Sequence, residues 1–254
     1  MSTDIGIFQK IRLVITLIYL IILLPLLVAG MAILMIVSLG RLQDFLIRWV
    51  GHIFGRSTMA VAGVRMDIRY HGTKPEEPAV FLMNHCSTLD LFIITSLHLP
   101  RVRFIAKKEL QYNPFFWAIA KMTGQIMIDR KDTRKALQQL NEAYKHIRKN
   151  RLSIMFAPEG TRSRTGKIMP FKSGAFHTAV DLGYPVVPIY IEGAYELCPG
   201  NSLLTRPGTV TIHIHEPVDT SGWDKKNIRE YRDEMRRRYL EWNGEIETEK
   251  ANTV

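Results

Sequence analysis

An uncharged run from Leu13 to Leu39, rich in Leu and Ile, constrains this chain more than any other feature; Lys10 and Arg12 precede it, and Arg41 and Arg48 follow. It exceeds the roughly 20 residues that a membrane element needs, and it is too long for a signal-peptide core of about 7 to 15. No small-residue cleavage site follows cleanly, so the segment is read as retained. Pro25 stands mid-run with Gly30 shortly after, and cations at both ends give no preferred orientation. The pattern predicts a bent or hairpin pair of helices returning to the cytosolic face. Each half, about 12 to 14 residues, is too short to cross about 30 Å of hydrocarbon and would lie within one leaflet. A tilted single span is the alternative.

From Leu42 to Phe54 the apolar positions recur at helical spacing, with Arg41, Asp44, Arg48 and His52 opposite, and Gly55 ends the pattern. This predicts an amphipathic interfacial helix with Trp49 at headgroup level, or else a helix packed on the following domain. The chain thus divides into an anchoring segment, 1–57, and a domain, 58–254.

The whole chain of 254 residues has room for one sizeable core beside this appendage. Its formal net charge of +10 calls for an anionic partner: nucleic acid, an acidic membrane surface or a phosphorylated substrate. No reading helix or interleaved aromatic surface supports nucleic acid. Cys86 and Cys198 lie far apart without CxxC spacing, which indicates neither a disulfide scaffold nor a structural metal and fits a reducing, cytosol-facing compartment.

Beyond residue 58, short apolar runs (60–70, 80–83, 101–106, 126–128, 152–156, 185–191, 209–215) alternate with helical patterns. That order predicts a single α/β domain with a mixed, largely parallel sheet flanked by helices. Pro188 predicts an edge strand or a bulge for its run.

Polar clusters end four of these runs: Asn84 to Asp90, Lys107-Lys108, Gln125 to Arg130, and Glu159 to Arg164. A parallel sheet gathers such ends into one crevice. His85 and Asp90 can form a pair in which the carboxylate fixes one ring tautomer and the free nitrogen takes a proton from a hydroxyl. Ser87 and Thr88 fit caps for the next helix. No Gly-x-Ser-x-Gly elbow supplies a serine nucleophile, and Cys86 adjoins His85 too closely for the two side chains to face each other. Arg162 offers a planar fork for a phosphate, with Thr161 and the Gly160 backbone beside it; the competing interpretation pairs it with Glu159 or Asp129.

These stretches resemble the motifs of the glycerolipid acyltransferase family, specifically its 1-acylglycerol-3-phosphate acyltransferases. Asn84-His85-Cys86-Ser87-Thr88-Leu89-Asp90 is similar to the first motif, Gly124 to Arg130 to the second, Ala157-Pro158-Glu159-Gly160-Thr161-Arg162-Ser163 to the third, and Val187-Pro188-Ile189-Tyr190 to the fourth. Ala157 replaces the family's usual aromatic, with Phe156 one place earlier. The resemblance implies His85 and Asp90 as catalytic dyad, and substrate binding by Lys107, Arg130, Glu159, Gly160, Thr161 and Arg162. It also implies an acyl-coenzyme A or acyl-carrier-protein donor, lysophosphatidic acid as acceptor, phosphatidic acid as product, and no metal or redox cofactor. The catalytic domain is expected on the cytoplasmic side of the cell inner membrane or another cytosol-facing membrane, in contact with phospholipids and not with nucleic acid. Glycerol-3-phosphate, a larger lysophospholipid or an ornithine-type lipid as acceptor, and a noncatalytic lipid binder, are the alternatives.

Overall fold

A computed structural model describes residues 6–75, 78–99, 101–128 and 133–246. Helix α1, Ile7–Val37, runs unbroken through Pro25. The expected bend at that proline is absent, since one missing N–H does not outweigh the hydrogen bonds of a helix this long. The chain reverses later, where Leu39 and Gly40 take positive φ and Gly40 N–H donates to Met35 O at 2.9 Å. It returns through α2, Gln43–Phe45, and a π-helical turn, Leu46–Val50, into α3, Gly51–Val61. Tyr19 Oη of α1 donates to Ser57 Oγ of α3 at 2.6 Å, so a hairpin exists, with α1 and α3 as its arms.

Gly55 does not end the second arm; it lies inside α3. A Cβ built there would sit 2.4 Å from Phe92 O, so the glycine permits two helices to touch. The first strand accordingly begins later than expected, at Val64, because Ala60 and Val61 still belong to α3.

The domain then runs β1 (Val64–Tyr70), β2 (Val80–Met83), α4 (Asp90–Ser96), β3 (Val102–Lys107), a 3-10 turn (Lys108–Tyr112), α5 (Pro114–Thr123), β4 (Ile126–Ile128), α6 (Thr133–Asn150), β5 (Ser153–Phe156), α7 (Gly174–Leu182), β6 (Val186–Glu192), α8 (Ala194–Leu197), β7 (Gly208–Ile214), a 3-10 turn (Lys225–Asn227) and α9 (Ile228–Trp242). The strands form one sheet in the order β1-β7-β6-β2-β5-β3-β4. Only β6 and β7 pair antiparallel. Residues of β2 alternate between two cores: Phe81 and Met83 pack with Met59 of α3 and Ile93 of α4, Val80 and Leu82 with Ile147, Phe176 and Tyr239 of α6, α7 and α9. Helices therefore cover the central strands on both faces.

Strand β6 is interior, not an edge, although it contains Pro188. The buried Tyr239 hydroxyl fills the gap in the ladder: it donates to Leu82 O at 2.9 Å and accepts from Ile189 N at 3.1 Å. A side chain from α9 thus does what the proline nitrogen cannot.

Candidate active site

Strands β2, β5 and β6 run parallel side by side, so the turns that leave their C-terminal ends converge. Asn84, the first residue past β2, binds the β6 backbone twice: Oδ1 accepts from Ile191 N at 2.7 Å and Nδ2 donates to Ile191 O at 2.9 Å. This fixes where the next residue, His85, leaves the sheet.

His85 Nδ1 lies 2.7 Å from Asp90 Oδ2. The same oxygen accepts from Cys86 N and Ser87 N, each at 2.9 Å. A carboxylate held by these donors can only accept, so Nδ1 carries the hydrogen and Nε2 keeps its lone pair. Asp90 is 1% exposed at its side chain and His85 29%: the carboxylate is fixed inside and the ring edge is open. The expected capping by Ser87 and Thr88 is replaced by this carboxylate. Ser87 Oγ instead donates to Cys198 O at 2.6 Å, and Thr88 Oγ1 to Ser202 O at 2.7 Å. Burial pushes the Cys86 thiol well above its usual range, which leaves it a poor nucleophile.

The turn after β5 locks onto this one. Glu159 Oε1 accepts from His85 N at 2.8 Å, its Oε2 from Met169 N at 3.1 Å, and Ser163 N donates to His85 O at 2.7 Å. Burial raises the Glu159 carboxyl to about 7, against the pull of those two donors. Arg162 is exposed and its guanidinium donates to Thr88 Oγ1 at 3.1 Å, three residues past the histidine. Its contact is therefore with the dyad turn rather than with Glu159. Gly160 has φ +74, and a Cβ there would stand 2.8 Å from Lys172 Nζ.

Thr161, exposed, sits between Gly160 and Arg162 on this turn. Lys107 ends β3 with its backbone in register with Ile128. Arg130, like Asp129, lies outside the described residues. Two parts of the site escaped sequence reasoning. Lys172 folds back over Gly160 because its N–H is bonded to Pro158 O at 2.7 Å. The segment Cys198 to Ser202 forms a third wall, with Pro199 bridged to Ser87 and Gly200 so close that its Cβ would lie 3.1 Å from both Arg162 Cβ and Cys86 O.

A half-open apolar cavity of about 400 Å³ extends from Leu91 and Phe92, beside the dyad, to a floor and walls made by Leu24 of α1, Phe104 of β3 and Phe116 of α5. Among the described residues, no group of three or more His, Cys, Asp or Glu could hold a metal ion.

Residues 67–192 match the family model described as Acyltransferase. The 1-acyl-sn-glycerol-3-phosphate acyltransferase of Escherichia coli K12 is 33% identical over 71% of this chain and 73% of its own length. The chain belongs to the acyltransferase family. Among other acyltransferases, the 1-acyl-sn-glycerol-3-phosphate acyltransferase of Haemophilus influenzae is 31% identical over 78% of this chain and 82% of its own, and that of Cocos nucifera 33% identical over 71% and 58%. The crystal structure of the 1-acyl-sn-glycerophosphate (LPA) acyltransferase PlsC from Thermotoga maritima superposes with a TM-score of 0.65 at 27% identity, over 95% of this acyltransferase and 100% of that chain.

Proposed function

We propose that this acyltransferase moves a fatty acyl group from a thioester, acyl-coenzyme A or acyl-carrier protein, to the 2-hydroxyl of 1-acyl-sn-glycerol 3-phosphate at a cytosol-facing membrane. The His85–Asp90 pair, 2.7 Å apart with the carboxylate buried, carries this proposal. His85 Nε2 takes the hydroxyl proton as the oxygen attacks the thioester carbonyl, and Asp90 stabilises the imidazolium that forms. Collapse of the tetrahedral intermediate breaks the C–S bond, and the departing thiolate takes the proton back. One ester forms and one thioester is lost, so the scheme balances without a cofactor. The backbone donors of His85, Cys86, Ser87 and Ser163 already hold the two turns together, so the oxyanion draws on other groups.

The acceptor's phosphate is assigned to Arg162, Thr161 and the Gly160 turn, with Lys172 as an added cation and Lys107 and Arg130 as the remaining candidates. The cavity behind Leu91 suits an acyl chain, which costs about 0.8 kcal/mol per CH₂ to expose to water. The exposed apolar face of α1 supplies the membrane anchor: its most apolar window is 6% buried.

Purified enzyme given lysophosphatidic acid and a long-chain acyl thioester should form phosphatidic acid. His85→Ala should cut kcat by roughly 10²- to 10⁴-fold with the melting temperature unchanged. Turnover of another acceptor with lysophosphatidic acid refused would reject the acceptor, and an active His85→Ala would reject the dyad.

A further inference from the structure

Past α3, the described residues leave nine large apolar side chains exposed, and five of them, Leu110, Tyr112, Phe115, Phe116 and Trp117, fall on one short stretch. Asn113 Oδ1 caps α5 by accepting from Phe115 N at 3.0 Å and Phe116 N at 3.3 Å, with Pro114 at the first helical position. The aromatic residues therefore stand on a rigid first turn and not on a loose loop. Exposed Lys108 and Lys121 flank them.

This patch continues the apolar face of α1. Gln43 Nε2, at the turn between the hairpin arms, donates to Met122 O of α5 at 3.1 Å, and α1 and α5 form facing walls of the apolar cavity. Leu91, 44% exposed and next to Asp90, closes the rim on the dyad side. An aromatic turn edged by lysines, continuous with a helix whose apolar side chains face outward, matches the interface of an anionic bilayer: Trp and Tyr settle at headgroup level, and lysines reach the phosphates.

We infer that the first turn of α5 is a second membrane contact, and that the gap between α1 and α5 is the portal through which acyl chains pass between the bilayer and the cavity. The inference rests on α1 lying in the membrane. A chain sliding through this gap never enters water, so it avoids the transfer cost that a cavity opening to solvent would impose.

Nitroxide labels at Trp117→Cys, Ile21→Cys and Arg229→Cys, in the full chain bound to phosphatidylethanolamine–phosphatidylglycerol vesicles, test the first half. Cys86 and Cys198 are buried, so the label goes to the introduced thiol. The Trp117 label should collide with oxygen more than with a water-soluble nickel chelate, at shallower depth than the Ile21 label. A Trp117 label as water-exposed as the Arg229 label, with the Ile21 label in lipid, overturns the second contact while leaving α1 in place. Both labels in water overturn the membrane position of α1 as well. A Trp117 label shielded from both reagents, in detergent as in vesicles, means that protein covers the patch and overturns the inference too.

The portal is tested with Tyr112→Ser/Trp117→Ser, neither of which lines the cavity. Transfer to vesicle-embedded acceptor should fall about tenfold, with no change for short-chain, water-soluble donor and acceptor. Equal loss on both substrates, or loss on neither, overturns it. A wild-type enzyme inactive on every acceptor would count against the acyltransfer scheme and leave the depth measurements standing.

Discussion

Glu159 works through His85 without touching substrate. Its two oxygens hold the N–H groups of His85 and Met169, which pins the start of one catalytic turn to the other. Burial raises its carboxyl from 4.5 to about 7, so between those values the folded chain keeps a proton that the unfolded chain gives up. A raised pKa of this kind contributes stability that is fully present below the unfolded value and is lost as the pH rises through the folded one, on the order of 3 kcal/mol here. Glu159→Gln removes that dependence but sets an amide N–H against a backbone N–H. Relative to wild type, its melting temperature should therefore climb from about pH 5 to pH 8. Its kcat should meanwhile fall roughly ten- to hundredfold, because His85 loses an anchor. A melting difference that stays flat with pH would show that the carboxyl is ordinary. The dyad and Glu159 were legible because each lies in an uninterrupted polar turn at the end of an apolar run. Lys172 and Gly200 were not, since topology rather than local spacing brings them there.

At the scale of elements, two residues carried the wrong local meaning. Gly55 has the same letter whether it stops a helix or lets a second helix approach, and Pro188 marks an edge strand unless another element supplies the missing donor. In both cases tertiary contact decides: Phe92 O lies over Gly55, and Tyr239 Oη stands where the Pro188 nitrogen cannot serve. The element order, the parallel sheet and its interior strands were readable because buried parallel strands give short apolar runs between amphipathic helices. The position of the hairpin turn was not, because Pro25 is as compatible with a continuous apolar helix as with a bent one. Gly55 gives a test of sign. In an open helix interior, Gly→Ala stabilises by about 0.5–1 kcal/mol. Here the new Cβ would meet Phe92 O, and overpacking of that kind costs typically 1–3 kcal/mol. Gly55→Ala should therefore lower the melting temperature, whereas Gly30→Ala in α1, with nothing within 4 Å of its Cβ, should not. A stabilised Gly55→Ala would mean that α3 and α4 do not pack this closely.

For the whole molecule, the question is what holds the hairpin against the domain, since the cavity needs walls from both. Arg103 of β3, with 2% of its side chain exposed, reaches into α2, where its guanidinium donates to Asp44 Oδ1 at 2.8 Å and Gln43 Oε1 at 3.3 Å. Arg101 binds the other Asp44 oxygen at 2.8 Å. Although burial works against ionisation, the two arginines hold the Asp44 carboxyl below its usual range. The attraction must offset the desolvation of a nearly buried guanidinium whose Nε has no partner, so the pair serves position more than stability. Removing one side leaves the other charge stranded. Asp44→Asn should cost about 2 kcal/mol, less than the roughly 3–5 of a fully buried pair, because Asp44 keeps 36% of its side chain in solvent. Arg103→Met with Asp44→Asn should recover most of that loss, since no buried charge then remains. Activity separates docking from stability. With the hairpin loosened, the wall formed by Leu24 moves relative to Phe104, so Asp44→Asn should accept a wider range of acyl chain lengths while its rate on the best one changes little. Melting curves for the cycle, alongside competition among acyl thioesters of graded length, decide it: an unchanged chain-length profile in a destabilised Asp44→Asn would mean that the pair holds the fold together without setting the shape of the cavity.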